Sequence, residues 1–368
     1  MDRARPSSYK VNFPEHLVRA ARMPPITSVR FGSIDVARWL AAAAIVVFHS
    51  GAFLSDLEFG KAFGFTYYGV DFFFVLSGFV IMQAHAADLS HPERLGTFAK
   101  KRFLRIYPPY WCVLAFAIGF LLWFNLRDPL TWSNLLSSTF LIPRSAKDFG
   151  IITQAWTLHY ELIFYIFFGI CIALPRRISL LLLVAVPALV YGLFVSGTQP
   201  FANATMAFKN ISLFFFGVIV AVCVPRISVL VGGFLLALGL LTLAGLATEA
   251  VALPSFVPAW GLASALVIAG GAAIEIRKGS VSSKTTDILG ALCYGTYLIH
   301  LPLFSFLEVS GLLSKLRTGN PAFDCAVLVA IGLFAGLVFH FACERPIVAL
   351  FKNLLATRQR RDVAVALP

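Results

Sequence analysis

The chain has 368 residues, of which 59% are hydrophobic and only 13% charged, with a formal net charge of +12. A soluble protein of this size carries about 25% charged residues, so the deficit, with a mean hydropathy of +0.82, excludes a soluble domain and indicates a polytopic membrane protein. The positive charge does not read as a nucleic-acid footprint, because Lys and Arg cluster between hydrophobic runs as they do in cytoplasmic loops.

Residues 1–33 form a polar, basic, proline-containing tail without an apolar core. No cleavable signal peptide is expected there, and the first hydrophobic segment reads as an uncleaved signal anchor. A bilayer span needs about 20 mostly apolar residues. Ten segments fit, at 34–54, 67–87, 104–124, 155–174, 178–195, 207–224, 228–246, 255–274, 288–311 and 322–350. They predict an all-α integral membrane protein, a bundle of about ten transmembrane helices over 34–350, with a second tail at 351–368. Segment 131–142 is too short and too polar to cross and is expected to be interfacial or re-entrant. Of the 30 Lys and Arg, only Lys61, Arg127, Arg144, Lys147, Lys209, Lys315 and Arg317 fall on one side. The positive-inside rule then assigns the other side, with both termini, to the cytoplasm. The six cysteines lie in or beside apolar runs with no CxxC or Cys–His spacing, so neither a disulfide framework nor a metal site is expected.

Ionisable groups inside a membrane are costly and are functional candidates by default. The first span, "DVARWLAAAAIVVFHS" at 35–50, carries Arg38 and His49. At about 100° per residue these lie within about 20° of one helical face, roughly 16 Å apart along the axis. Asp35 is placed to pair with Arg38. Taken singly, Arg38 also reads as snorkelling to headgroups and His49 as a packing residue. In the second span, "GVDFFFVLSGF" carries Asp71 near its outer end, and Ser77–Gly78 reads chiefly as a close-packing step. Arg102 and Arg105 share a face at the start of the third span, a fork suited to phosphate or to anionic lipid. In "WTLHYE", Trp156 precedes Thr157 and Glu161, which share a face of the fourth span. Glu161 and His49 both fall in the outer half, where they are able to meet, although Glu161 also suits a structural hydrogen bond. In the ninth span Tyr294, Tyr297 and His300 form a stripe that ends before Pro302. It reads equally as a functional face and as a hydrogen-bonded kink. Glu344–Arg345 reads as a surface pair. A cavity lined by the first, second, third, fourth and ninth spans is expected.

In this order, Arg38-x10-His49, "GVDFFFVLSGF", Arg102-x-x-Arg105 with "IYP", "WTLHYE", "YGTYLIH" and "ERP" at 344–346 resemble the membrane-bound acyltransferase 3 family. With no appended domain, the chain looks like the stand-alone exopolysaccharide O-acetyltransferases of the bacterial inner membrane. The resemblance implies acetyl-CoA or another acyl-CoA as donor and a carbohydrate hydroxyl, free or lipid-linked, as acceptor. On that basis Arg38, Arg102 and Arg105 are expected to bind donor phosphates. His49 is expected to act as general base, with an acyl-histidine as the lesser variant, and Glu161 to orient or stabilise the imidazole. Asp71, Ser77, Trp156, Thr157, Tyr294, Tyr297 and His300 are weaker substrate or cavity candidates, Ser77 and Tyr297 among them as oxyanion donors. Succinyl transfer to a glucan and proton-coupled transport are the competing readings.

Overall fold

The computed structural model describes residues 30–54, 63–143, 150–201, 203–251, 254 and 257–366, with side chains to 356. Lys61, Arg144, Lys147 and most of the N-terminal tail lie outside the described residues. Within them the chain is helical, without strands. α1 spans Gly32–Leu54. A 3₁₀ turn, Gly64–Tyr68, leads into α2, Gly69–His85, and α3 spans Leu95–Trp123. The short α4, Trp132–Phe140, precedes α5, Trp156–Ala173, and α6, Arg176–Val195. α7, α8 and α9 span Ala204–Cys223, Val229–Ala247 and Ala259–Lys278. α10, Lys284–Val309, is followed by the short α11, Leu312–Leu316, and by α12, Pro321–Phe339. A π-helical turn, His340–Glu344, joins α12 to α13, Arg345–Ala366. Ten helical segments are long and apolar enough to cross a membrane, the number expected.

Two boundaries differ from expectation. α3 begins at Leu95, so Lys100, Lys101 and Arg102 lie in the helix rather than before it. Its Pro108 and Pro109 are accommodated inside the helix. The last span continues as helix through the segment taken as a tail, to Ala366. Segment 131–142 does not cross. α4 lies against α3, where Tyr107, Tyr110 and Trp111 donate to the carbonyls of Phe140, Ser138 and Thr139 at 3.1, 2.7 and 2.9 Å. These bonds satisfy a helix C-terminus that lipid would leave bare.

Lipid provides no hydrophobic drive between helices, so close packing has to hold the bundle together. α2 and α7 meet backbone to backbone. A Cβ on Gly78 would lie 1.8 Å from the Phe214 carbonyl oxygen, and one on Gly217 1.9 Å from that of Val75. α1 packs on α10, α10 on α12, and α9 on α2 and α7. α6 and α8 are peripheral and carry exposed apolar side chains, among them Val184, Leu189, Leu230 and Leu241. The start of α1 is fixed from another helix: Glu275 of α9, 2% exposed, accepts the Gly32 and Ser33 N–H groups at 2.9 and 2.8 Å. A carboxylate there satisfies orphan donors and complements the helix dipole.

The glycine contact yields a stability prediction. Gly217→Val forces α7 from α2 and should cost about 3 kcal/mol or more, at or above the usual overpacking range. Gly192→Val in α6, where nothing lies within 4 Å, should be nearly neutral. Thermal denaturation of the two purified variants in one detergent checks the contrast.

Candidate active site

A cavity, partly open to the surroundings, lies between the helices. Its wall comes from Arg38 of α1, one face of α2 that includes Val70, Phe73, Ser77 and Ile81, Arg102 and Arg105 of α3, Thr157, Glu161 and Tyr165 of α5, and Cys293, Tyr294 and Tyr297 of α10. These are the five spans expected, with Phe214 of α7 in addition.

One part of the wall is cationic. Arg38 reaches Asp35 at 3.2 Å. Arg102 has the Phe98 and Tyr165 rings 5.8 and 5.5 Å away, with Nη2 3.5 Å from His85 Nε2. Arg105 lies over the Tyr294 ring, 4.6 Å from its centroid, and 3.8 Å from Glu344. The Nε atoms of Arg38 and Arg102 are buried without a hydrogen-bond partner among the described residues. Unsatisfied buried donors on a cationic wall suit an anionic ligand. Glu161, also in the wall, accepts from Ser77 at 3.3 Å and from Tyr165. Among the described residues no hydrogen bond joins Glu161 to His49.

The wall also contains Thr157 and Tyr297, whose hydroxyls are 2.7 Å apart. Tyr297 donates to the Gln154 carbonyl at 2.8 Å, so its proton is committed, as is that of Ser77. The Tyr297 ring lies 6.1 Å from that of His300. His300 is fully buried and pairs with His49, Nε2 to Nδ1, at 3.0 Å. The stripes of α1 and α10 therefore converge just behind the cavity wall rather than in it. Asp71 and Trp156 stand apart. Asp71 pairs with Lys209 of α7 at 2.8 Å, and Trp156 packs on Phe74 and Tyr160.

The histidine contacts fix the protons. His300 Nδ1 is 2.9 Å from the Thr296 carbonyl, and His49 Nδ1 is 3.1 Å from that of Ile45. A ring nitrogen that close to a carbonyl oxygen must carry hydrogen, so both neutral rings are Nδ1–H tautomers, an assignment made from their partners. The His49 Nδ1–H is then shared between the Ile45 carbonyl and the lone pair of His300 Nε2, and His49 Nε2 is left as a free base.

Glu344 was read from sequence as half of a surface pair, and the structure corrects this. It is 6% exposed and accepts from His340 Nδ1 at 2.8 Å, while Arg345 is exposed beside Phe341. The i, i+4 spacing of His340 and Glu344 was the available signal. The π turn that directs the carboxylate inward has no comparable signature. For the histidine pair, 15N NMR of histidine-labelled protein should find His49 and His300 both in the Nδ1–H form. An Nε2–H signal from His300 would contradict the pairing.

An acyltransferase domain model matches residues 31–343. The exopolysaccharide production protein ExoZ of Rhizobium meliloti (strain 1021) is 27% identical over 294 residues, covering 76% of this chain and 89% of its own. The acyltransferase MdmB of Streptomyces mycarofaciens is 26% identical over 390 aligned positions, covering 94% and 96%. A shorter match, protein 2 of the picA locus of Rhizobium radiobacter, is 41% identical over 90 residues, 24% of this chain and 44% of its own. No solved structure matches. The matched domain runs from α1 into the π turn, ending one residue before Glu344, and takes in every residue of the cavity wall, and the chain belongs to the membrane-embedded acyltransferase 3 family.

Proposed function

We propose that the protein transfers an acyl group, acetyl in the first instance, from acyl-CoA to a sugar hydroxyl of a bacterial surface polysaccharide, exopolysaccharide or lipid-linked precursor. It would act in the inner membrane with both termini cytoplasmic. The observation that carries this reading is the arrangement of one cavity, with three guanidiniums in its wall and an oriented histidine pair just behind it. A CoA thioester has the matching form: phosphates at one end, a long thin arm, and the reacting carbon at the other.

The donor phosphates engage Arg102 and Arg105, with Arg38 beside them, and fill the hydrogen bonds that Arg38 and Arg102 leave open. The acyl group is then delivered towards His49. The sugar oxygen attacks the thioester carbonyl as His49 Nε2 takes its proton. The tetrahedral intermediate collapses by breaking the carbon–sulfur bond, and the imidazolium returns the proton to the departing thiolate, so an ester and free CoA result. His300 Nε2 accepts from His49 Nδ1–H throughout. It holds the ring and stabilises the positive charge that develops there, the task that sequence alone assigned to Glu161. Glu161 is assigned instead to the cavity wall, where it fixes Ser77 and Tyr165. ExoZ, an exopolysaccharide production protein, and MdmB, an acyltransferase, both match over most of their length, which supports this class of reaction.

Two outcomes follow. Arg102→Ala and Arg105→Ala should each weaken acetyl-CoA binding about tenfold or more, since a hydrogen bond to a charged group contributes about 1.5–3 kcal/mol. Equilibrium binding to purified variants reads this, and unchanged affinity would reject the phosphate role. His49→Ala should slow single-turnover acetyl transfer by about 10²–10⁴-fold while its affinity for acetyl-CoA stays near wild type. A near-normal rate in folded His49→Ala protein would remove His49 from the chemistry. Mass spectrometry of surface polysaccharide from cells with and without the gene identifies the acceptor.

A further inference from the structure

The π turn at His340–Glu344 stands out because nothing in the proposed chemistry uses it. A π turn holds one residue more than an α-turn needs. It rotates every later side chain relative to the helix before it, and such turns recur at functional sites. Here the helix before the turn is held tightly. A Cβ on Gly336 of α12 would lie 2.0 Å from Thr296 Oγ1 of α10. Beyond the turn, Glu344 points into the bundle and Arg345 out of it. Gly295 leaves room for the carboxylate, since a Cβ there would lie 3.0 Å from Glu344 Oε2.

The carboxylate has two partners. Oε2 accepts from His340 Nδ1 at 2.8 Å. Oε1 is 3.8 Å from Arg105 Nη1. Among the described residues Arg105 otherwise rests on the face of Tyr294, which holds a cation by its centre and leaves it free to rotate. A carboxylate to one side, here a long ion pair, restricts that freedom.

We infer that Glu344, held by His340, is a positioning residue that aims the Arg105 guanidinium at the anionic part of the acyl donor. This rests on the donor reading given above. Two effects of the carboxylate oppose each other. Its negative charge disfavours an anionic donor, whereas its grip pre-orders the arginine. The inference is that the ordering wins, and the sign of the effect is therefore the test.

The experiment uses full-length protein in nanodiscs, with acetyl-CoA as the probe. Glu344→Gln is close to isosteric and removes the charge. It should weaken acetyl-CoA binding about tenfold, mid-range for coupled neighbours. In the Arg105→Ala background the same change should have no further effect. Phenylglyoxal labelling, followed by peptide mapping, should modify Arg105 faster in Glu344→Gln than in wild type, a signature that a general packing defect elsewhere does not produce. His340→Leu keeps the carboxylate but removes its holder. It should shift both readouts in the same direction by less, and it serves as the test should Glu344→Gln fail to fold. Unchanged or tighter acetyl-CoA binding by Glu344→Gln, where Arg105→Ala binds weakly, overturns the positioning role alone. So does an equal effect in the Arg105→Ala background, or an unchanged labelling rate. Wild-type binding by Arg105→Ala defeats the donor reading itself, and the inference with it.

Discussion

Every charged side chain that enters this bundle has to find its partner inside it, because lipid offers none. Four of the buried carboxylates and the half-buried Glu161 meet that constraint in five ways. Asp35 holds Arg38, Asp71 holds Lys209, and Glu161 gathers two hydroxyls. Glu275 caps α1, and Glu344 takes His340 and Arg105. These contacts tie α1 to α9, α2 to α7 and α3 to the π turn. The pairings that satisfy the buried charges also fix which helices are neighbours.

The cavity occupies the place where this balance is least complete. Three arginines face it against one carboxylate in its own wall, and two guanidinium nitrogens have no partner. Apart from Ser77, Thr157 and Cys293, the neutral residues there are aromatic or aliphatic. A site with that imbalance favours an elongated ligand that is anionic at one end and apolar along its length. Close contact between helices makes such a cavity sustainable. The glycine contact of α2 with α7 sets one wall rigidly, so the polar residues of the opposite wall do not have to fill the space between.

Much of this was legible in the sequence. Ten apolar segments gave the number of spans, and Arg38, His49, Arg102, Arg105, Glu161, Tyr297 and His300 stood out because charge and imidazole are rare in such segments. Their grouping on five particular spans could be anticipated from shared stripes and depth. Hydropathy placed the start of α3 too late, because Lys100 and Lys101 depress the average while leaving the helical backbone intact. The partner of His49 was misjudged for a related reason. Depth along the bilayer allowed Glu161 as well as His300, and only the packing of α1 on α10 separates them. Glu344 was hidden because its orientation depends on one π turn, which periodicity at 3.6 residues cannot register.

The account depends on a single donor linking the guanidiniums of the cavity wall to the histidine pair behind it. The most direct measurement is a structure of the protein with a thioether analogue of acetyl-CoA, in which the scissile bond cannot be cleaved. The account predicts the analogue's phosphates on Arg102 and Arg105, its arm along the α2 and α10 walls, and its acyl carbon beside His49 Nε2. An analogue bound with its phosphates away from these arginines, or with its acyl group ending against another wall of the cavity, would contradict it.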